Sequence, residues 1–104
     1  MKRLFIGTFK GVPITMDDIA TYLVTEYIYK HLDKSDETPD FEVFTVWKCK
    51  TLQNFKYLLS STLHDGMYYE LTFNGDKQEW YLDAYKKFEN QCIPMSEIDT
   101  EIFF

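Results

Sequence analysis

The chain has 104 residues, and its length, composition and charge bound what it can be. This length fits one domain, so we expect a single domain over residues 1–104. Hydrophobic residues make up 45% and aromatic residues 18%, which excludes a disordered chain. The formal net charge of -6 argues against direct binding to nucleic acid or to an anionic membrane. A protein partner with a basic surface fits this charge better.

The two cysteines and the first residues indicate a compartment. Cys49 and Cys92 lie far apart and lack the dense spacing of a disulfide-stapled secreted domain. Residues 1–6 carry the charge of a signal peptide, but Gly7 ends the apolar run well before the length of a signal sequence. No stretch is long and apolar enough to predict a membrane span. We therefore expect a soluble protein of the cytoplasm.

The N-terminal part predicts a short strand followed by a helix. Residues 1–12 suit an extra edge strand or a tail, since the apolar stretch within this range ends at Gly11. Thr15 can cap a helix, and Asp18 stands three residues later, as in a capping box. Apolar side chains then recur at three-and-four spacing, which predicts a helix over residues 16–32. The acidic stretch 33–40 predicts a loop.

Alternation and turn residues predict four strands after this loop. β-branched and aromatic residues are enriched, and turn sequences at His64-Asp65-Gly66 and Asn74-Gly75-Asp76-Lys77 separate the last three. In the first strand, Thr45, Trp47 and Cys49 are expected on one side. The predicted strands span residues 41–50, 55–63, 67–73 and 78–85, and they form an antiparallel meander.

The last hairpin divides its residues between two faces of the sheet. A four-residue turn is preferred because a two-residue turn would place Glu70 opposite Glu79, whereas the longer turn places Glu70 opposite Tyr81. With either turn one face, expected against the helix, carries Tyr69, Leu71, Trp80, Leu82 and Ala84. The other face carries Tyr68, Glu70, Tyr81, Asp83 and Tyr85.

The C-terminal residues predict less regular structure. Residues 83–93 suit either a helix or a continuing strand, and we favour the strand. Residues 94–104 follow Pro94 and alternate acidic with apolar side chains, which suits an edge strand or a flexible acidic tail.

These elements predict an α+β fold. One long N-terminal helix would pack on a curved, mainly antiparallel four-stranded sheet, with a cystatin-like outline. The expected core consists of Leu23, Val24, Tyr27, Ile28, Trp47, Leu59, Tyr69, Leu71, Trp80 and Leu82.

Several strings in the second half of the chain resemble a known family. They are WKCKTLQN (47–54), LSSTL (59–63), DGMYYE (65–70), NGDK (74–77) and YLDAYKKFEN (81–90). This set is similar to a family of small uncharacterised phage and prophage proteins from Gram-positive bacteria. The resemblance implies a phage origin and the host bacterial cytoplasm. It implies no activity, so no functional residue is carried over.

The sequence lacks the patterns on which familiar enzymes depend. It contains no phosphate-binding glycine loop, no His-Glu-x-x-His and no Cys-x-x-Cys, so we expect no enzyme activity. A zinc site of Cys49, Cys92, His64 and His31 is an alternative. It lacks local ligand spacing, and both cysteines sit in apolar sequence that suits small core residues. We therefore expect no cofactor.

The expected function combines this setting with the second sheet face. Tyr68, Tyr81 and Tyr85 beside Glu70 and Asp83 offer aromatic anchors and charge for a basic host protein. By analogy with small phage proteins, we expect an inhibitor of a nucleic-acid-handling host enzyme, such as an anti-CRISPR protein that blocks an effector nuclease.

Two alternatives to this function remain. One is a phage assembly protein that forms homo-oligomers. The other is a protein that docks on host replication proteins through its tail residues Glu101, Ile102, Phe103 and Phe104.

Overall fold

A computed structural model describes residues 5–9, 12–32 and 39–103. One helix packs against an open four-stranded antiparallel sheet, so the expected α+β class is confirmed. Most of the predicted loop 33–40 lies outside the described residues. The elements are β1 (Phe5–Phe9), β2 (Val12–Thr15), α1 (Met16–His31), β3 (Val43–Thr51), β4 (Asn54–Ser61), β5 (Met67–Asn74) and β6 (Glu79–Lys86).

The start of α1 is the predicted capping box. The Asp18 amide donates to Thr15 Oγ1 at 3.3 Å, and the Thr15 amide donates to Asp18 Oδ2 at 2.9 Å. Each side chain thereby satisfies an amide that the first helical turn leaves without a partner. The helix ends at His31, one residue before the predicted end.

The strands form two separate sheets. β1 and β2 make an antiparallel hairpin, whereas the main sheet is a meander in the order β3-β4-β5-β6. The predicted turn between β4 and β5 is confirmed, and Gly66 takes a φ of 69° that favours glycine there. Among the described residues, no helix has both the length and the apolar character needed to span a membrane.

A β-bulge in β3 changes which side chains face α1. Thr45 lies opposite Leu59, but Trp47 lies opposite Leu58, so Val46 is an extra residue on this strand. Thr45 is therefore on the helix side, whereas Trp47 and Cys49 are on the other side. The prediction that these three share one side was wrong, and so was the placement of Trp47 in the core, since 44% of it is exposed.

The β5–β6 hairpin has the predicted turn length but a different register. Residues 75–78 form a four-residue turn, because Asn74 lies opposite Glu79. Glu70 lies opposite Asp83 instead of Tyr81. This shift of two residues leaves every side chain on its predicted face, because strand side chains alternate with a period of two. We call the face toward α1 the inner face and the opposite one the outer face.

The core lies between α1 and the inner face. The predicted core residues Val24, Ile28, Leu59, Tyr69 and Leu71 are buried. The predicted residues Leu23, Tyr27, Trp80 and Leu82 are half-buried at its border. The prediction missed the buried residues Met16, Ala20, Phe55, Tyr57 and Phe73.

The C-terminal part departs from both strand predictions. β6 ends at Lys86, so the expected continuation to residue 93 was wrong. Met95–Glu97 and Thr100–Phe103 form short 3-10 turns, so the edge-strand interpretation of residues 94–104 was also wrong. Residues 87–103 are all exposed. We call them the C-terminal segment.

Candidate protein-binding face

The outer face of the main sheet carries an unusual number of aromatic side chains. Strand alternation and the pairing register place alternate residues of β3 to β6 on this side. Its members are Phe44, Trp47 and Cys49 on β3, Lys56, Leu58 and Ser60 on β4, Tyr68, Glu70 and Thr72 on β5, and Glu79, Tyr81, Asp83 and Tyr85 on β6.

The aromatic members are open to solvent. About half of each of Phe44, Trp47, Tyr81 and Tyr85 is exposed, with Tyr85 highest at 51%. Tyr68 lies directly opposite Tyr85, which makes a cross-strand aromatic pair. Four strands spaced by about 4.8 Å give this face a projected area of roughly 500 Å2, which aromatic and charged side chains share. Grouped exposed aromatic side chains commonly mark binding sites.

One ion pair lies in the middle of the outer face. Lys56 Nζ is 2.7 Å from Glu70 Oε1, and Glu70 lies opposite Asp83 on the next strand. The hydrogen bond and charge of Glu70 raise the pKa of Lys56. Because two carboxylates share one lysine, Asp83 adds negative charge that Lys56 does not fully balance. The outer face is therefore aromatic with a net acidic character.

Tyr81 is held in place by its neighbour on the same strand. Its hydroxyl donates to Glu79 Oε2 at 2.5 Å, and this hydrogen bond raises the pKa of Tyr81. A hydrogen bond to a carboxylate is stronger than one between neutral groups. A side chain fixed before binding loses less conformational freedom in a complex. Tyr81 is thus suited to act as a rigid anchor.

Buried side chains on the inner side of β4 and β5 hold the backbone behind the outer face in place. Tyr57, Leu59, Tyr69 and Leu71 alternate with the outer residues on β4 and β5, and all four are buried. Tyr57 also donates a hydrogen bond to Asp17 Oδ1 at 2.7 Å, which ties β4 to α1. The backbone that carries the central outer residues is consequently fixed from the inner side.

The structure brings the predicted partner-binding residues onto one surface. Tyr68, Glu70, Tyr81, Asp83 and Tyr85 all lie on the outer face, within the last two strands. Sequence reasoning missed Phe44, Trp47 and Leu58, which extend the same face across β3 and β4. Alternation along β4 could have indicated Leu58. No sequence signal showed the β3 bulge that turns Trp47 outward.

The alternative tail site lies in the C-terminal segment and not on the strands that form this face. Glu101, Ile102 and Phe103 are exposed in the last 3-10 turn, and Phe104 lies outside the described residues. Ile102 and Phe103 have exposed fractions of 73% and 71%. They are available to a partner.

The four candidate zinc ligands occupy different parts of the chain. Cys49 is on β3, Cys92 is in the C-terminal segment, and His64 is in the β4–β5 turn. His31 stacks on Tyr27 with ring centroids 4.0 Å apart. Within the described ranges, no three metal-binding side chains come together. Both cysteines are exposed thiols, so their interpretation as core residues was wrong.

Comparison with known families matches residues 17–95, which include α1 from its second residue on and all four strands of the main sheet. The chain belongs to DUF6275, a family of unknown function. The DUF6275 match covers every residue of the outer face. No curated protein and no solved structure was found to match the chain.

Proposed function

We propose that this chain is a phage-encoded inhibitor that binds a basic surface of a host protein through its outer face. The observation that carries the proposal is the exposed aromatic surface with acidic residues among the tyrosines. Tyrosine and tryptophan are the side chains most often found at the energetic centre of protein interfaces. Acidic residues among them favour a partner that carries lysines and arginines.

The class of target follows from the charge. Host proteins that handle nucleic acid expose basic grooves, and a negatively charged aromatic surface is complementary to such a groove. The phage setting comes from the resemblance of the sequence strings to prophage proteins. Together they favour an anti-defence role, with a CRISPR effector nuclease as the most direct target. The role is one of binding rather than catalysis, in the cytoplasm of the host.

The test is capture of a partner with a matched set of variants. The immobilised protein is exposed to lysate of a Gram-positive host that carries a CRISPR effector. We expect it to retain one nucleic-acid-handling enzyme and to inhibit that enzyme when the two are purified and mixed. The triple variant Tyr68→Ala, Tyr81→Ala, Tyr85→Ala should lose both binding and inhibition.

Tyr22→Ala is the control for this experiment. Tyr22 is a tyrosine with an exposed fraction of 60%, but it lies on α1, on the other side of the sheet. Its substitution should leave capture unchanged. Equal capture by the triple variant and by the control would exclude the outer face. Recovery of only the protein itself would overturn the inhibitor proposal and favour an assembly role.

A further inference from the structure

The inner face of the main sheet is wider than the helix that covers it. A helix with its side chains is about 10 Å across, which is the width of roughly two strands spaced at 4.8 Å. The inner side chains of β4 and β5 are buried beneath α1, so the helix covers the middle of the sheet. The inner side chains Trp80 and Leu82 of β6 are only half-buried, and Ala84 is exposed. The β6 edge of this apolar face is therefore only partly covered, whereas the β4 and β5 rows are buried.

A groove between α1 and β6 marks the uncovered area. It has a volume of about 230 Å3, and Leu23 and Tyr27 of the helix form one wall. Leu71, Trp80 and Leu82 form the floor and the other wall. Soluble proteins rarely leave such rows of apolar side chains without a covering element. We call this feature the inner groove.

The C-terminal segment of the same chain carries apolar side chains that are exposed to solvent. Phe88, Ile93, Met95, Ile102 and Phe103 of the C-terminal segment have exposed fractions between 62% and 97%. The radius of gyration is 17.9 Å, against about 13 Å for a compact domain of this length. The chain is thus less compact than a typical domain of this length, and the apolar side chains of the segment remain exposed in the isolated chain.

Charge favours the inner groove over the outer face as the place where this segment binds. Between residues 88 and 103 the charged side chains are all acidic: Glu89, Glu97, Asp99 and Glu101. The inner side is less acidic: Lys30 and Glu26 both line the groove and offset each other, and Lys86, opposite Met67, adds a cation on the face of Leu82. The outer face would place this acidic segment beside Glu70, Glu79 and Asp83, where like charges repel.

We propose that the C-terminal segment of one copy packs into the inner groove of a second copy, and that the exchange is reciprocal. A two-fold dimer fills both grooves with the same contact made twice. The seventeen residues of the segment and the seven that line the groove give at most 24 interface residues per copy, against the roughly 20 to 30 of a standard interface. The proposal is independent of the inhibitor function, because it uses the opposite side of the sheet.

Measurement of mass in solution tests the dimer. The chain has a mass of 12.5 kDa, and at micromolar concentration light scattering should give twice this value. Deletion of residues 91–104 should give a monomer with an unchanged circular dichroism spectrum, because residues 91–103 are exposed in the isolated chain. A monomeric full-length chain, or a truncated chain that still forms the dimer, would overturn the proposal.

A point variant tests the groove itself. Ala84→Asp adds a negative charge to an exposed inner position, where the acidic segment would pass. We expect it to weaken the dimer at least tenfold without loss of thermal stability. The control is Asp83→Ala on the adjacent outer position, which should remain dimeric. An equal effect of both substitutions would contradict the assignment to the inner groove.

Cross-linking between two copies decides whether the segment crosses over. One copy carries Ala84→Cys with Cys49→Ser and Cys92→Ser, and the other carries only Cys49→Ser, which leaves Cys92 in its segment. After mixing and mild oxidation we expect a disulfide between the two copies. Absence of this product, with both copies folded, would overturn the exchange. The triple tyrosine variant should still dimerise, so this proposal and the inhibitor proposal fail separately.

Discussion

Asp17 connects three elements through one carboxylate. It stands in the first turn of α1, accepts a hydrogen bond from Tyr57 of β4 at 2.7 Å, and pairs with Lys48 of β3 at 2.6 Å. Tyr57 is only 1% exposed, so water cannot readily replace this acceptor for its hydroxyl. The position of the helix on the sheet therefore depends on Asp17 as well as on apolar contact.

A double-mutant cycle measures this connection. Asp17→Ala should lower the free energy of unfolding by about 1 to 3 kcal/mol, because the buried Tyr57 hydroxyl loses a charged acceptor. With Tyr57→Phe in the background the same substitution should cost about 1 kcal/mol less. Urea denaturation gives both values. Strict additivity would show that the Asp17–Tyr57 hydrogen bond is not a stabilising contact.

Lys48→Met serves as the control for the cycle. It removes only the ion pair with Asp17, whose side chains are about a third exposed. Partly exposed ion pairs contribute about 1 kcal/mol or less, so this variant should remain close to the parent protein in stability.

Two residues show where residue-scale prediction succeeded and failed. Thr15 was predicted to cap α1 from a local pattern alone, because the capping box involves only positions three residues apart. Trp47 was misplaced because its face depends on the extra residue Val46, and a bulge depends on the pairing partner rather than on the strand's own sequence. Local rules predict local hydrogen bonds, but they do not predict a register.

At the scale of elements, the β3–β4 and β5–β6 turns pack against each other. The Gly75 amide donates to Asn54 Oδ1 at 2.9 Å, and Gln53 Nε2 donates to Asp76 Oδ1 at 2.6 Å. A Cβ added to Gly75 would lie 2.2 Å from the Gln53 carbonyl oxygen. This glycine is therefore required for the close approach of two backbones.

Gly75→Ala should accordingly destabilise the sheet. We expect a loss of about 1 to 3 kcal/mol in the free energy of unfolding, because backbone atoms must move apart. Thermal and urea denaturation measure this loss. Backbone amide exchange should also speed up in both turns. If exchange changed only in residues 74–79, the packing of the two turns would not be what the glycine permits.

Gly66→Ala should also destabilise the protein, but for a different reason than Gly75→Ala. At Gly66 an added Cβ meets nothing closer than 3.8 Å, but the φ of 69° disfavours residues with a side chain. The expected cost is about 1 kcal/mol, and it should be confined to the β4–β5 turn. Exchange rates near Gln53 should remain those of the parent protein.

The strands of the last hairpin were predicted better than its register. Alternation alone assigned Tyr69, Leu71 and Leu82 to the inner face, because a strand shows its two faces in its own sequence. The pairing of Glu70 with Asp83 could not be predicted, since the turn includes Gln78 at a φ of 55° instead of beginning at Asn74. Two like charges opposite each other also disfavour this pairing. The contact of Lys56 from β4 with Glu70 offsets their repulsion.

At the scale of the whole molecule, charge distinguishes the two sides of the sheet. The outer face combines aromatic residues with three carboxylates and one lysine, Lys56, whereas the inner groove is lined by Lys30 and Glu26 and Lys86 shares its face. Composition gave a net charge of -6 but not its distribution, which depends on register and on the bulge. The outer face could therefore be predicted in part, and the inner groove could not.

The charge of the outer face predicts a salt-dependent complex. Affinity for the captured host protein should fall as ionic strength rises, because exposed charges are screened beyond about 10 Å at 0.1 M salt. Asp83→Asn should weaken binding by about two- to threefold at low salt and reduce the salt dependence. Tyr85→Ala should weaken binding about fivefold or more and leave the salt dependence unchanged. Titration calorimetry at two salt concentrations separates the two effects.

The bulge in β3 also bears on how the protein behaves at high concentration. β3 is a nine-residue strand at the border of the sheet, almost entirely exposed and rich in β-branched and aromatic residues. A straight strand of this kind is a template on which further strands stack into fibrils. Val46 interrupts its hydrogen-bonding pattern, and Lys48 and Lys50 add charge beside it. Bulges and charged side chains on edge strands oppose such stacking, so we expect the irregularity that misplaced Trp47 in the sequence interpretation to disfavour amyloid-like polymerisation as well.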